Sequence, residues 1–214
     1  MSYLSALNAG HGVSQDGSWD CGCVDGNYTE ASLMLPITQV AARILRQNGF
    51  DVQTDSDNGN DANIAVCVDR ANNVGADIYV SLHCDWNQAP SGTYPIVYPG
   101  SNSGIRLAQC LDNAVRARIP IGSRGILQRD DWEVTDTGMP ACIFETGSIS
   151  ADISVLLNAE AYGSALACGI MDYFGVQYGA VEVAPSNPNV DSPVNTTGTS
   201  GDICLQFGDE NIVV

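Results

Sequence analysis

The chain has 214 residues, of which 44% are hydrophobic and 7% aromatic, which is typical of a globular domain. Its 25 acidic and 8 basic residues give a formal net charge of -17, and all the basic residues are arginine. Such a surface offers no basic patch to release counterions from nucleic acid or an anionic membrane, so we expect neither as a partner. No apolar run is long enough to span a bilayer.

Strand and helix patterns alternate along most of the chain. Apolar, β-branched runs predict strands, and apolar residues three and four positions apart predict helices. In chain order, the patterns predict a strand at 3–8, a helix at 30–48, a strand at 50–54, a helix at 64–75, strands at 76–83 and 92–99, a helix at 105–119, a strand at 139–147 and helices at 151–157 and 162–174. This alternation indicates one α/β domain with a twisted, mostly parallel sheet and helices on both faces.

Two polar stretches interrupt these patterns. Residues 13–29 and 123–137 are rich in Gly, Asp, Ser or Arg and are predicted to be loops, the second of them lining a cleft. The strand at 92–99 contains prolines, which cannot donate to a neighbouring strand, so we expect this strand at an edge of the sheet.

Side chains suited to metal chemistry stand at the ends of the predicted strands. His11 and His83, the only histidines, each follow an apolar run, and Glu145 ends the strand at 139–147. Glu30 begins the first long helix. The carboxyl ends of parallel strands meet at one edge of a sheet, so these groups should converge there. Two histidines and a glutamate can hold a catalytic zinc ion with one position open, and another carboxylate can serve as a base.

The cysteines give a less specific signal. Those in apolar patterns are expected to be buried thiols: Cys67, Cys110, Cys142 and Cys168. Cys21 and Cys23 lack the second pair of a zinc knuckle, and a disulfide from either to another loop stays open. Cys84 is an alternative zinc ligand, but adjacent strand residues point to opposite faces, which favours His83.

The order and context of these residues resemble the zinc-dependent N-acetylmuramoyl-L-alanine amidases of the type-3 family, found in autolysins and phage endolysins. The resemblance runs from about Tyr3 to Phe174. It is carried by five segments: Gly10-His11-Gly12, Glu30 at a helix start, Asp69-Arg70-Ala71-Asn72, Ser81-Leu82-His83, and Pro140 through Glu145-Thr146-Gly147.

The resemblance implies a role for each matching residue. His11, Glu30 and His83 are expected to bind Zn²⁺, and Glu145 is expected to be catalytic. The family has a small residue and then Asn after the second histidine, where this chain has Cys84 and Asp85. After the catalytic Glu-x-Gly it favours Phe-Leu-Ser-Asn, where this chain reads Ser-Ile-Ser-Ala. These departures bear on substrate contacts rather than on the metal ligands.

Further residues have weaker assignments. Asp16 and Asp85 are candidates for orienting the ligand histidines. We predict a catalytic domain at 1–177, a flexible Pro/Ser/Asn/Thr/Gly-rich linker at 178–201 and a short segment at 202–214 that could begin a wall-binding module.

The expected activity is zinc-dependent hydrolysis of the amide between N-acetylmuramic acid and L-alanine in peptidoglycan. The stretch before Arg43 lacks the basic start of a secretory signal, which favours a phage endolysin held in the host cytoplasm until lysis and then acting on the wall. The alternatives are a zinc carboxypeptidase or endopeptidase acting on the stem peptides, and a non-catalytic wall-binding domain. The sequence leaves the oligomeric state open.

Overall fold

The computed structural model describes residues 2–14, 16–57 and 63–177. The predicted linker at 178–201 and the segment at 202–214 lie outside these residues. The elements, in chain order, are β1 (Leu4–Asn8), β2 (Val24–Asp25), β3 (Tyr28–Thr29), α1 (Glu30–Gln47), β4 (Asp51–Thr54), α2 (Ile64–Val74), β5 (Ile78–Asp85), β6 (Tyr94–Val97), α3 (Asn102–Arg116), β7 (Leu127–Gln128), α4 (Trp132–Thr135), β8 (Ala141–Ser148), α5 (Ile153–Leu156) and α6 (Ala159–Phe174).

A six-stranded sheet of order β4-β1-β5-β8-β6-β7 forms the centre of the domain. Strands β4, β1, β5 and β8 run parallel, whereas β6 is antiparallel to β8 and parallel to β7. The predicted mostly parallel α/β sheet is therefore confirmed. The central strands read as near-continuous apolar runs because helices cover both of their faces.

The prediction of β6 as an edge strand is wrong. It lies between β8 and β7, and Pro95 is in register with Phe144. The two-residue strand β7 takes the edge instead. The stretch at 123–137, predicted to be a loop, contains β7 and α4, and the stretch at 13–29 contains the β2–β3 hairpin. These elements are too short to produce a periodic pattern.

Alternate residues of the strands build two hydrophobic cores. On one face Val80, Leu82 and Phe144 pack in a core with side chains of α1, α3 and α6. On the other face Tyr79 and Ile143 pack with side chains of α2 and α4. His83 has the same parity in β5 as Tyr79, so its side chain points toward the second face.

No helix of the described residues is both long enough and apolar enough to cross a membrane.

Candidate metal centre

His11 is held by the loop that follows β1. Its Nδ1 lies 3.0 Å from Oδ2 of Asp20, and its Nε2 lies 3.4 Å from Oε1 of Glu30. Burial by itself lowers the pKa of His11, but the charge of Glu30 and the hydrogen bond to Asp20 outweigh it and raise the pKa to about 10. The imidazole is thus fixed by one carboxylate and aimed at another.

Glu30 is the first residue of α1. Thr29 caps the helix, and its hydroxyl accepts from the Ser32 amide while the Ser32 side chain accepts from the Thr29 amide. Glu30 is only 4% exposed, and its side chain points into the site. Burial opposes its ionisation, but His11 and His83 overcome that effect and hold the pKa of Glu30 well below its usual range.

Two backbone amides fix the Glu30 carboxylate. The amide of Cys84 donates to Oε1 and that of Cys23 donates to Oε2, each at 3.0 Å. Gly22 lies against the same side chain with a φ of +64°, and a Cβ added to it would lie 2.6 Å from Glu30 Oε2 and 2.8 Å from His11 Cδ2. A glycine is therefore required for both conformational and steric reasons.

His83 lies between two buried glutamates. Its Nδ1 is 3.0 Å from Oε1 of Glu30, and its Nε2 is 3.3 Å from Oε2 of Glu133 and 3.1 Å from the Ser81 hydroxyl. Burial alone lowers the pKa of His83, but Glu133 and Glu30 outweigh it and raise the pKa well above its usual value. The Tyr79 hydroxyl donates to Glu133 Oε1 at 2.6 Å, so this carboxylate is itself held in place.

His11, Glu30 and His83 form a group that can hold one metal ion. Their nearest donor atoms all lie within 4.8 Å of one another, and the two imidazole rings meet edge to face with centroids 4.9 Å apart. Nδ1 of His83 faces Glu30 while Nε2 is occupied by Glu133, which is the arrangement of a ligating histidine oriented by a second carboxylate. Two imidazole nitrogens and one carboxylate oxygen fit a site with an open position.

Glu145 stands beside this group. It is in register with His83 across the β5–β8 ladder, and its Oε2 is a buried atom with no hydrogen-bond partner among the described residues. Burial raises the pKa of Glu145 to about 8, Glu30 and Asp85 add to the rise, and His83 and Arg124 oppose it. A carboxylate tuned toward neutrality can exchange a proton at physiological pH.

Arg124 borders the site on the side of β6. Its Nη1 lies 2.8 Å from Oδ2 of Asp85, its Nε donates to the Gly92 carbonyl, and its guanidinium lies 4.6 Å from the centroid of the Tyr94 ring. Arg124 Nη2 is another buried atom for which the described residues offer no partner. Arg124 is thus a positive group whose charge acts on Glu145.

The structure brings together His11, Glu30, His83 and Glu145, the four site residues named from the sequence. The assignment of Asp16 and Asp85 as the residues that orient the histidines is wrong, however. Asp16 accepts from Ser18, and Asp85 pairs with Arg124.

Asp20 and Glu133 orient the histidines instead. Both come from the irregular stretches, where no periodicity marks a residue as facing the sheet. The only signal available for Glu133 was an acidic residue between apolar neighbours, Trp132 and Val134.

Comparisons with known proteins agree with this architecture. The family model described as "N-acetylmuramoyl-L-alanine amidase" (Amidase_3) matches residues 6–173. A curated relative, the "Probable cell wall amidase LytH" of Staphylococcus epidermidis, is 26% identical over 176 residues, which is 78% of this chain and 57% of that protein. This chain therefore spans little more than half the length of that relative.

Solved structures show the same fold. N-acetylmuramoyl-L-alanine amidase AmiC2 of Nostoc punctiforme superposes with a TM-score of 0.70 at 25% identity, covering 81% of this chain and 97% of that one. The catalytic domain of CwlV, an amidase of Bacillus (Paenibacillus) polymyxa, gives 0.67 at 23% identity, covering 83% and 100%. Because the family model covers more than half of the sequence, the chain belongs to the N-acetylmuramoyl-L-alanine amidase family.

Proposed function

We propose that this chain hydrolyses the amide bond between N-acetylmuramic acid and L-alanine in bacterial peptidoglycan, and that it does so with one zinc ion. The observation that carries the proposal is the convergence of donor atoms from His11, Glu30 and His83 within 4.8 Å, with Glu145 in register beside His83. Membership of the amidase family supports the choice of bond.

Each residue of the site has a distinct task in this proposal. His11, Glu30 and His83 would hold the ion, which when bound supplies a Lewis acid that polarises the amide carbonyl and acidifies the attacking water. Glu145 accepts the proton of that water on Oε2, which has no hydrogen-bond partner in the part of the chain that the structure describes, and returns it to the nitrogen of the leaving L-alanine. Burial raises the pKa of Glu145, which favours return of the proton to the leaving group, and the charge of a bound ion would favour the ionised form that accepts it.

The orienting carboxylates keep the imidazoles ready for the metal. Asp20 fixes the ring of His11 through Nδ1 and leaves Nε2 for the ion, while Glu133 fixes His83 through Nε2 and leaves Nδ1. Such partners set the tautomer and raise the basicity of a ligating histidine.

A phage endolysin is the biological setting that we propose. The enzyme would stay in the host cytoplasm until lysis and then reach the wall. The net charge of -17 would repel an anionic wall, so wall targeting is assigned to a segment outside the domain. One solved structure of similar fold is the catalytic domain of the CD27L endolysin, at a TM-score of 0.66 and 16% identity.

The experiment is digestion of purified peptidoglycan by the zinc-loaded wild type and by Glu145→Ala. New N-terminal alanine and intact stem peptides in the wild-type digest support the amidase. Clipped stem peptides would instead identify a peptidase, and wall binding without cleavage would identify a binding domain. Glu160→Gln is the matched control, because Glu160 is an exposed glutamate paired with Arg43 on the surface.

A further inference from the structure

Two thiols lie beside the metal-binding group and take no part in the proposed reaction. Cys23 is half-buried in the loop before α1, and Cys84, directly after His83, is 2% exposed. Both are free thiols, and their sulfur atoms are 3.8 Å apart. Their contact brings the loop before α1 against the end of β5.

The separation of the sulfurs suits a shared ion. Two thiolates at about 2.3 Å from one tetrahedral zinc ion lie about 3.8 Å from each other. A disulfide instead needs the sulfurs at about 2.05 Å from each other. The two sulfur atoms are therefore not bonded and would have to move closer together to form a disulfide. The sulfurs are in contact with each other, at the separation that two ligands of one tetrahedral ion have.

Glu30 provides a third ligand on the same side. Donor atoms of Cys23, Glu30 and Cys84 all lie within 4.8 Å of one another. The Glu30 carboxylate presents Oε1 toward the two histidines, whereas Oε2 lies against the Cys23 amide. One carboxylate can therefore serve a cation on either side of it.

The electrostatic surroundings favour a positive ion. Oxygen atoms lie close to the pair: a carboxylate oxygen of Glu30 lies within 4.8 Å of both sulfurs, and the sulfur of Cys23 lies 3.2 Å from the carbonyl oxygen of Cys84 and 3.6 Å from that of Asp85. The half-buried position of Cys23 gives an ion a route from solvent. Soft thiolate ligands select thiophilic metals.

We propose that Cys23, Cys84 and Glu30 form a second metal site, which takes one thiophilic divalent cation such as Zn²⁺ or Cd²⁺. The two thiols release their protons to solvent as the ion binds. The site is distinct from the His11–Glu30–His83 group, with which it shares only Glu30, and it goes beyond the proposed hydrolysis.

The test is a cadmium titration of the reduced, metal-free full chain. It is followed by the ultraviolet charge-transfer absorption of cadmium thiolate, with the ions per chain counted by native mass spectrometry. The wild type should show the thiolate band and bind two ions. Cys23→Ser and Cys84→Ala should each lose the band and bind one ion. Cys110→Ser, which removes a half-buried thiol elsewhere, should behave as the wild type.

His11→Ala separates this site from the proposed catalytic one. This variant should lose the ion of the His11–Glu30–His83 group and keep the thiolate band. The two proposals can fail separately, because a wild type that does not cleave peptidoglycan would still show the band. The second site is overturned if the reduced wild type gives no thiolate band, or if the band survives in both Cys23→Ser and Cys84→Ala. Recovery of Cys23 and Cys84 as a disulfide in the presence of cadmium would also overturn it.

Discussion

His83 and Glu145 are register partners across the parallel strands β5 and β8. Laterally paired residues of a sheet point to the same face, so the backbone ladder itself places the His83 imidazole next to the carboxylate of Glu145, whose Oε2 has no hydrogen-bond partner among the described residues. The relative position of these two groups is thus set by the pairing of two inner strands of the sheet and not by a loop.

This relationship separates the chemistry of Glu145 from metal binding. We predict that Glu145→Gln lowers kcat about 10²- to 10⁴-fold, the usual contribution of a general base, while zinc per chain stays unchanged. Steady-state kinetics and zinc analysis of the same sample check both parts. Loss of zinc together with activity would show that Glu145 is a ligand instead.

Glu133 should act through His83. We predict that Glu133→Gln weakens zinc binding about 10- to 100-fold, as for other carboxylates that orient a ligating histidine. Competition with a chromophoric chelator measures the loss. Tyr79→Phe removes the phenol that donates to Glu133 but keeps the carboxylate, so its effect should be smaller; an equal effect of the two variants would argue for general damage to the fold.

Replacing Gly22 should reduce zinc affinity in addition to the stability of the fold. A Cβ there meets Glu30 and His11, whereas Gly26 has a similar φ of +57° and nothing within 4 Å of an added Cβ. Both Gly22→Ala and Gly26→Ala should lose about 1–2 kcal/mol of stability from the left-handed conformation. Only Gly22→Ala should also lose zinc affinity, and chelator competition beside thermal unfolding distinguishes the two effects.

The metal-free protein should lose stability as the pH rises. The folded-state pKa values of His11, about 10, and Glu145, about 8, both lie above the ordinary values of 6.5 and 4.5. A group with a raised folded-state pKa stabilises the fold fully below its unfolded pKa, and that stabilisation is lost as the pH passes through the folded value. For these groups the loss extends from about pH 4.5 to about pH 10.

Zinc should reverse this trend, because the ion replaces the proton on His11 and its charge favours the ionised Glu145. We predict that the gain in Tm on adding zinc is larger at pH 9 than at pH 6. Thermal unfolding of the metal-free and zinc-loaded chain across this range measures it. A zinc-induced gain that shrinks toward pH 9 would contradict the assignment of His11 as a ligand.

The convergence of Glu30, His83 and Glu145 could be anticipated from the sequence because strand and helix patterns fix where such residues meet, although His83 and Glu145 lie inside β5 and β8 and not at their last residues. His83 and Glu145 close apolar runs, and Glu30 follows a capping threonine. Asp20 and Glu133 could not be predicted, since they come from polar stretches whose path depends on tertiary contacts. The proximity of Cys23 and Cys84 could not be predicted for the same reason, because no periodic sequence pattern determines the path of the loop that carries Cys23.

The position of β6 was missed for a different reason. Its prolines indicated an edge, but β6 is antiparallel to β8 and has only the two-residue β7 on its other side. Few ladder hydrogen bonds are therefore required of it, and a proline is tolerated there.

The most direct test of the account is the coordination of one equivalent of zinc, measured by X-ray absorption at the zinc edge. The Cys23→Ser variant is the protein to use, because it leaves only the histidine–glutamate group intact. The account predicts nitrogen and oxygen ligands at about 2.0–2.1 Å with scattering from two imidazoles, reduced to one when His83→Ala is added. A spectrum without imidazole scattering, or one that His83→Ala leaves unchanged, would contradict the claim that His11, Glu30 and His83 share a single cation.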